Sequence, residues 1–385
     1  MARKSPLAIG LDVGTYKIGV IVAEVTEGGV EVVGIGTAAS RGLRKGVVVN
    51  IEKTVEAIRR AVEEAELMAA CEIRSVIAGS AGSHIKGFNS HGVVAVRSRE
   101  VASGDVERVV DAARAVALPT DQEVLHVLPQ EFIVDDQDGI REPVGMAGVR
   151  LEARVHIVTG AVSAGQNLIK CCNRAGLHVR DLLAGPLAAA EAVLTPEERE
   201  LGAALVDVGG GHVTSDLAAA LCTPPAEAEH LKQRHGSALA ALTPAEQTIE
   251  VPGLGGRAPH HLSRRALAEV IEPRAEEMLM LARAEIERAG CYQALASGVV
   301  LTGGGAVLEH MTALAERVFR LPVRLGAPLH LNSLVDAVAS PMYSTAVGLV
   351  LHGLKQDGHG RRGEGVLGHI GVVGERMMGW LREFF

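Results

Sequence analysis

Short apolar runs recur along the chain, and three of them stop at glycines. Residues 8–13 form one such run and predict a strand, with 17–25 as its hairpin partner and 30–38 continuing the sheet. Residues 50–70 change period: Val55, Ile58, Val62 and Ala65 share one helical face and charges fill the other. Residues 76–81 are again a strand. The stretch 83–161 has its own logic, with strands at 93–96, 124–134 and 151–158 around a helix at 104–118. Ser103 reads as the N-cap of that helix, with Asp105 and Glu107 in its first turn. This is the pattern of a small inserted α+β domain. Helices follow at 165–176 and 186–194, then a strand at 203–208 and helices at 213–221, 226–235 and 264–289. A strand at 298–301, a helix at 311–319 and another within 338–351 complete the body.

Residues 353–365 are polar and glycine-rich, the composition of a flexible linker. Beyond them apolar residues return at helical spacing: Val366, Leu367, Ile370, Val373, Met377, Trp380, Leu381, Phe384 and Phe385. The chain's single Trp and two of its five Phe lie in the last six positions. Large amphipathic aromatics suit a membrane interface, and the preceding linker favours a membrane-surface helix over one docked on the body. Arg361 and Arg362 add attraction for anionic lipid.

The three glycine stops carry the candidate chemistry. They are Asp12-Val13-Gly14-Thr15-Tyr16-Lys17, Asp207-Val208-Gly209-Gly210-Gly211 and Thr302-Gly303-Gly304-Gly305. Glycine lets backbone N–H groups approach phosphate oxygens, and two of the stops place an Asp two residues before a Gly. Carboxylates face phosphates only through a bridging cation such as Mg²⁺. The pattern reads as one nucleotide clamped between two halves of a duplicated fold. Lys17 reads equally as a phosphate contact or as a solvated strand-edge lysine. His260 and His261 read as a surface loop pair, and Glu191 as a solvated helix residue. With 385 residues, 48% of them hydrophobic, the chain is long enough for two or more domains. A net charge of −8 argues against a nucleic-acid-binding surface. The five cysteines include no CxxC pair, so neither a disulfide framework nor a zinc site is expected. No secretory signal and no run of membrane-spanning length is read.

Residues 82–85, 89–92, 126–132 and 143–148 inside the inserted domain have no counterpart in actin or chaperone relatives. With 213–216, 269–274 and 340–349 they carry a resemblance to the FtsA family, bacterial actin-like proteins that tie the tubulin-like division ring to the inner membrane. The resemblance runs from Ile9 to the last residue. It implies an α/β, actin-like two-lobed fold (the actin, Hsp70 and sugar kinase fold) with an inserted small domain and a C-terminal amphipathic helix. The implied divisions are 6–82 with 162–198, the insert 83–161, 199–211 with 298–352, a further subdomain 212–297, the linker 353–365 and the membrane-targeting helix 366–385. It also implies ATP and Mg²⁺ as cofactors. Gly14, Thr15, Tyr16 and Lys17 would bind the β- and γ-phosphates. Gly209, Gly210 and Gly211 would bind phosphate and metal, and Gly303, Gly304 and Gly305 adenosine. Asp12 and Asp207 would face the metal. The implied partners are the ring protein FtsZ through its C-terminal tail, further copies of the chain in filaments, later divisome membrane proteins, and lipid. The implied place is the cytoplasmic face of the inner membrane at the septum, as a peripheral protein with at most weak ATPase activity.

Two departures stand out. In relatives the triple glycine continues into two strands before the Val-Thr-Ser-Asp helix; here His212 joins them directly, so roughly twenty residues are absent at ordinary strand lengths. Either 213–217 replaces a strand, or it begins a helix; Thr214, Ser215 and Asp216 favour the helix. The loss leaves a strand at a sheet edge. Gly185 stands where chaperone relatives place a catalytic acid. The alternative function is a small-molecule kinase or ATPase on the same fold. For the FtsZ tail, Arg264, Arg265 and Arg274 are the basic candidates within 212–297.

Overall fold

A computed structural model describes residues 7–26, 29–255, 258–329, 331–332 and 338–360. Its first apolar run is β1 (Leu7–Val13), which pairs antiparallel with β2 (Lys17–Thr26), and β3 (Gly29–Ala39) extends the meander. A small hairpin of β4 (Leu43–Arg44) and β5 (Val47–Val48) leads to α1 (Ile51–Ala69). Asn50 caps α1 by accepting a hydrogen bond from Lys53 N at 3.0 Å. Val55, Ile58, Ala61, Val62 and Ala65 are buried on its inner face. Gly34 and Gly36 of β3 let that face come close, because a Cβ at either would run into the backbone of Ala61, Ala65 or Ala69. β6 (Ser75–Ser80) then lies parallel to β1.

The chain leaves this sheet to build a second one. β7 (Lys86–Ala95), α2 (Ser103–Arg114), β8 (Gln122–Val134), β9 (Gln137–Ile140) and β10 (Arg150–Ala161) form an antiparallel sheet in the order β7-β10-β8-β9, with α2 on one face. Phe132, Val109, Val110, Leu151, Val155 and Ile157 make its core. Three expectations change here. Ser103 is the first helical residue rather than the cap; Ala102 holds the cap position, and the Asp105 carboxylate accepts from Ala102 N at 3.0 Å. α2 ends at Arg114 rather than 118. β7 starts at Lys86 rather than 93, because pairing with β10 carries it through Asn89, Ser90 and His91, whose polarity hides a strand.

α3 (Val162–Arg174), β11 (His178–Ala184), α4 (Gly185–Val193) and α5 (Pro196–Leu201) return the chain to the first lobe and lead out of it. β12 (Ala204–Asp207) runs through the second glycine stop straight into α6 (Gly211–Ala220), so 213–217 is helical and replaces no strand. Val213 and Leu217 point into a core shared with α7 (Pro225–His235), the hairpin β13 (Thr248–Val251) and β14 (His260–Ser263), and α8 (Arg264–Arg288). His260 and His261 are exposed, but on β14 rather than in a loop. β15 (Val299–Thr302), α9 (Met311–Phe319) and β16 (Val323–Leu325) finish the second sheet, and β17 (Leu331–Asn332) joins the first beside β3. α10 (Ser344–Gly360) closes the described chain.

The two lobes share a plan. The first sheet has the order β11-β6-β1-β2-β3-β17 and the second β12-β15-β16. β1, β6 and β11 are parallel, as are β12, β15 and β16. The second lobe therefore has no equivalent of β2 and β3 among the described residues, and β12 is an edge strand. Between the lobes α4 and α10 cross closely. Gly348 lies on the Ala188 backbone with no room for a Cβ. Ala8, Ile21, Val193, Val300, Val347 and Val350 fill the space around the crossing.

α10 continues to Gly360, through residues 353–360 that read as linker; the remainder of that linker and the apolar stripe from Val366 to Phe385 lie outside the described residues. No helix of the described residues is long and apolar enough to cross a membrane. Glu191, read as solvated, has a buried side chain. Its Oε1 lies 3.7 Å from His352 Nδ1 and its Oε2 3.6 Å from Lys355 Nζ. Asp181 Oδ2 lies 3.3 Å from His352 Nε2. Burial opposes charge on His352, yet the two carboxylates win and raise its pKa to about 9.

The edge at β12 yields a stability test. Inserting a two-stranded hairpin after Gly211 is expected to pair the free side of β12 and raise the thermal midpoint by several degrees. Equal midpoints for the two chains would show that this edge needs no cover.

Candidate functional site

The two Asp-Gly strand ends meet between the lobes. Asp12 is at the end of β1 and Asp207 at the end of β12, and α10 begins between them. Thr345 Oγ1 donates to Asp207 Oδ2 at 3.5 Å. A Cβ placed on Gly79, the neighbour of Asp12 on β6, would lie 3.3 Å from Thr345 Cγ2 and 3.8 Å from Asp12 Oδ1. Gly303 packs against Asp207 Oδ1 with a φ of 86°, a position that a side chain would block. The second and third loops are joined by Gly305 N donating to Val208 O at 2.7 Å. Gly209 and Gly304 face open space. Gly185, at the start of α4, faces Ala81 and Thr345, so no acid stands there.

The electrostatics are those of unneutralised carboxylates. Burial is the main reason that the Asp12 pKa rises from 3.8 to about 6; Lys17 opposes the rise and the charge on Asp207 adds to it. Burial also raises Asp207, against the Thr345 hydrogen bond. Lys17 is pulled down to about 8 by burial, against the attraction of Asp12. Its ammonium donates to Met342 O at 3.1 Å and lies 3.7 Å from the centre of the Tyr343 ring. Lys17 is therefore no solvated edge lysine.

Other sequence-predicted residues fall around this pair. Gly14 N closes the first loop by donating to Lys17 O at 3.0 Å, and Thr15 Oγ1 accepts from Gly46 N at 3.0 Å. Tyr16 OH donates to Gly211 O at 3.1 Å. Pattern reading missed Lys232 and Glu229 on α7. Lys232 Nζ is buried and bonds Glu229 Oε2 at 2.6 Å, Thr214 Oγ1 at 2.9 Å and Gly210 O at 3.3 Å. It thus places a positive charge beneath the second loop. Burial lowers the Lys232 pKa against the pull of Glu229. A lysine three residues after a glutamate, on the buried face of a helix, was the available signal. Thr345 was equally missed, although it lies in the 340–349 stretch.

The three basic candidates for partner binding are mostly engaged within the chain. Arg274 pairs with Asp216 and Glu277, and Arg264 with Glu309. Arg265 donates to Thr243 O at 3.2 Å and has no carboxylate partner among the described residues.

Comparison with known proteins adds three findings. The family model described as the SHS2 domain inserted in FtsA matches residues 82–159, and that of cell division protein FtsA matches 192–348. Cell division protein FtsA of Pseudomonas aeruginosa is 51% identical over 382 residues, covering 93% of this chain and 92% of that protein. FtsA of Escherichia coli K12 is 41% identical over 417 residues, covering 100% of this chain and 99% of that protein. That alignment is longer than the 385 residues present here, so some of its positions exist only in the relative. Among solved structures, the PilM-PilN type IV pilus biogenesis complex superposes with a TM-score of 0.61 at 15% identity, over 90% of this chain and 98% of that one. MreB5 of Spiroplasma citri bound to ADP gives 0.53 at 12%, over 94% and 100%. The fold is actin-like.

The strained carboxylate makes a signed prediction. The folded state binds the Asp12 proton more tightly than the unfolded chain does, so stability falls as pH rises from 3.8 through about 6. A shift of that size costs the folded protein about 3 kcal/mol at neutral pH. Asp12→Asn is expected to raise the midpoint of the ligand-free protein by a few degrees at pH 7 and to flatten its pH dependence between 4 and 6. An unchanged midpoint and slope in calorimetry would show that the carboxylate is not strained.

Proposed function

Because the chain belongs to the FtsA family of cell division proteins, we propose that it is the ATP-binding, actin-like adaptor that ties the tubulin-like division ring to the inner membrane. The observation that carries the nucleotide part is the pair of half-buried carboxylates, Asp12 and Asp207, at matching strand ends of two lobes with a glycine loop beside each. Two desolvated carboxylates that repel one another form a donor set suited to a hard divalent cation such as Mg²⁺. The cation would neutralise them and bridge to phosphate. Around it Gly14, Thr15, Tyr16 and Lys17 would receive the β- and γ-phosphates, Gly209 to Gly211 the phosphate and metal side, and Gly303 to Gly305 the adenosine. Lys17 would exchange the Met342 carbonyl for a phosphate oxygen. Gly185 leaves the site without a general base from α4, which fits weak hydrolysis. The structural neighbour MreB5, solved with ADP and with AMPPNP, supports nucleotide binding on this fold.

The remaining parts rest on family membership and sequence pattern. The inserted domain contains none of the three loops and suits self-association and later divisome proteins. The region 212–297 would receive the FtsZ C-terminal tail, with Arg265, of the three candidates the one without a carboxylate partner among the described residues, open to an acidic segment. The stripe from Val366 to Phe385 would hold the protein to the cytoplasmic face of the membrane at the septum. A small-molecule kinase would need neither the inserted domain nor this stripe.

Two measurements test the proposal. Calorimetric titration with ATP is expected to show Mg²⁺-dependent binding that Asp12→Asn and Asp207→Asn each abolish; binding indifferent to both substitutions refutes the site. Liposome co-sedimentation is expected to weaken about 30-fold or more for each of Trp380→Glu and Phe384→Glu, since a charge in apolar lipid costs at least about 2 kcal/mol. Unchanged sedimentation refutes the anchor.

A further inference from the structure

Tyr16 belongs to the first glycine loop, yet its side chain is spent on the second. Its hydroxyl donates to Gly211 O at 3.1 Å and lies 3.4 Å from Ser215 Oγ, which itself donates to Gly211 O at 3.1 Å. The ring covers Gly211 so closely that a Cβ there would fall 2.5 Å from Tyr16 Cε2. Lys232 Nζ lies 5.7 Å from the ring centre. One side chain therefore joins the tips of both loops across the cleft, between residues 195 positions apart. The contact follows from the shortened second lobe. In the first lobe the turn after β1 leads into β2; in the second the chain enters α6 directly, and the first turn of α6 comes to face Tyr16. Two surface hollows lie elsewhere, one by Glu63, Leu67 and Cys71 at the end of α1 and one by Ser98, Ser103 and Gly145 in the inserted domain.

Resting on the nucleotide reading of this cleft, we propose that Tyr16 is a latch that holds the two loops together across it. A nucleoside polyphosphate enters between them only when the Tyr16–Gly211 bond opens. The ring covers Gly211, at the helix end of the second loop, where phosphate oxygens would seek backbone N–H groups. The Gly211 carbonyl accepts from the Tyr16 and Ser215 hydroxyls, which ties the first turn of α6 to the opposite lobe.

The test uses the full chain and two variants, Tyr16→Phe, which keeps the ring and loses the hydroxyl, and Tyr16→Ala. Hydrogen exchange of amides 211–217 is measured without nucleotide, and association of a fluorescent ATP analogue with Mg²⁺ by stopped flow. Exchange is expected to quicken about three- to tenfold in Tyr16→Phe, the effect of one lost hydrogen bond, and further in Tyr16→Ala. Association is expected to accelerate in the same order. Unchanged exchange of β1 and β6 amides shows that the body remains folded. Unchanged exchange at 211–217 overturns the latch whatever the nucleotide does. Faster exchange with slower association overturns gating and makes the phenol a ligand contact. Faster exchange in variants that, like the parent chain, bind no nucleotide supports the fastening and overturns the nucleotide reading.

Discussion

The structure depends on holding two carboxylates where neither is comfortable. Asp12 and Asp207 end strands in different lobes, and both are pushed toward protonation by burial. Thr345 and Lys17 offset this only in part. The carboxylates' positions are set by the parallel sheets behind them and by the crossing of α4 and α10, where Gly348 rests on the Ala188 backbone. Small residues at that crossing bring the helices close, and the apolar side chains around it, Ile21, Val193, Val300 and Val347 among them, resist separation of the lobes. The hydrophobic effect thus supplies the force that confines two like charges, and the strained cleft is a consequence of packing well outside it.

The two lobes differ in how well they support this arrangement. In the first, β2 covers the side of β1 away from β6, β3 pairs with β2, and α1 seals β3 through close contact at Gly34 and Gly36. In the second, β12 stands at an edge with only β15 beside it. α8 takes the place in the second lobe that α1 takes in the first, and Met280 and Leu281 on it are exposed. The second lobe answers the bare edge of β12 with polar contacts instead. Lys232 and Glu229 brace the second loop from below, and Tyr16 reaches it from the opposite lobe. Removing one partner of a buried pair such as Lys232 and Glu229 strands the other, so this substitute support is less tolerant of change than a packed hairpin.

How much of this was legible follows from the range of the interactions. The strand-glycine stops, the α1 face and the helical start after Gly211 are local patterns, and each was readable. Contacts between distant positions were not. Thr345 beneath Asp207, Lys232 beneath Gly210 and Tyr16 over Gly211 depend on how the lobes meet, which no periodicity encodes. β11 escaped notice because His178, Arg180 and Asp181 interrupt its apolar residues. Asp181 lies beside His352 of α10, so a partner elsewhere explains the polarity. Glu191 misled for the same reason: a charged helix residue is usually solvated, and only the arrival of His352 and Lys355 makes its burial tolerable. Residues 353–360 read as linker from composition, yet the helix runs on, with Gly353 fitting against Ile77 where a larger residue would collide. A glycine that looks like a break in one dimension is here a close approach in three.

The same reasoning bears on why the cleft keeps charges that weaken the fold. A hydrophobic pair at these strand ends would pack without the desolvation penalty borne by Asp12 and would leave Lys17 no partner to hold it in the cleft. Lys17 is itself destabilised by burial, and it settles on the Met342 carbonyl and the Tyr343 ring rather than on a full countercharge. Acid and base are thus both present and neither is fully neutralised within the chain. An arrangement with surplus carboxylate on one side and a loosely satisfied ammonium on the other is complementary to a cation–polyanion pair, and less so to a neutral ligand. The instability is therefore directional: it is relieved by a ligand that brings both charges at once, and that preference is written into the cleft before any ligand arrives.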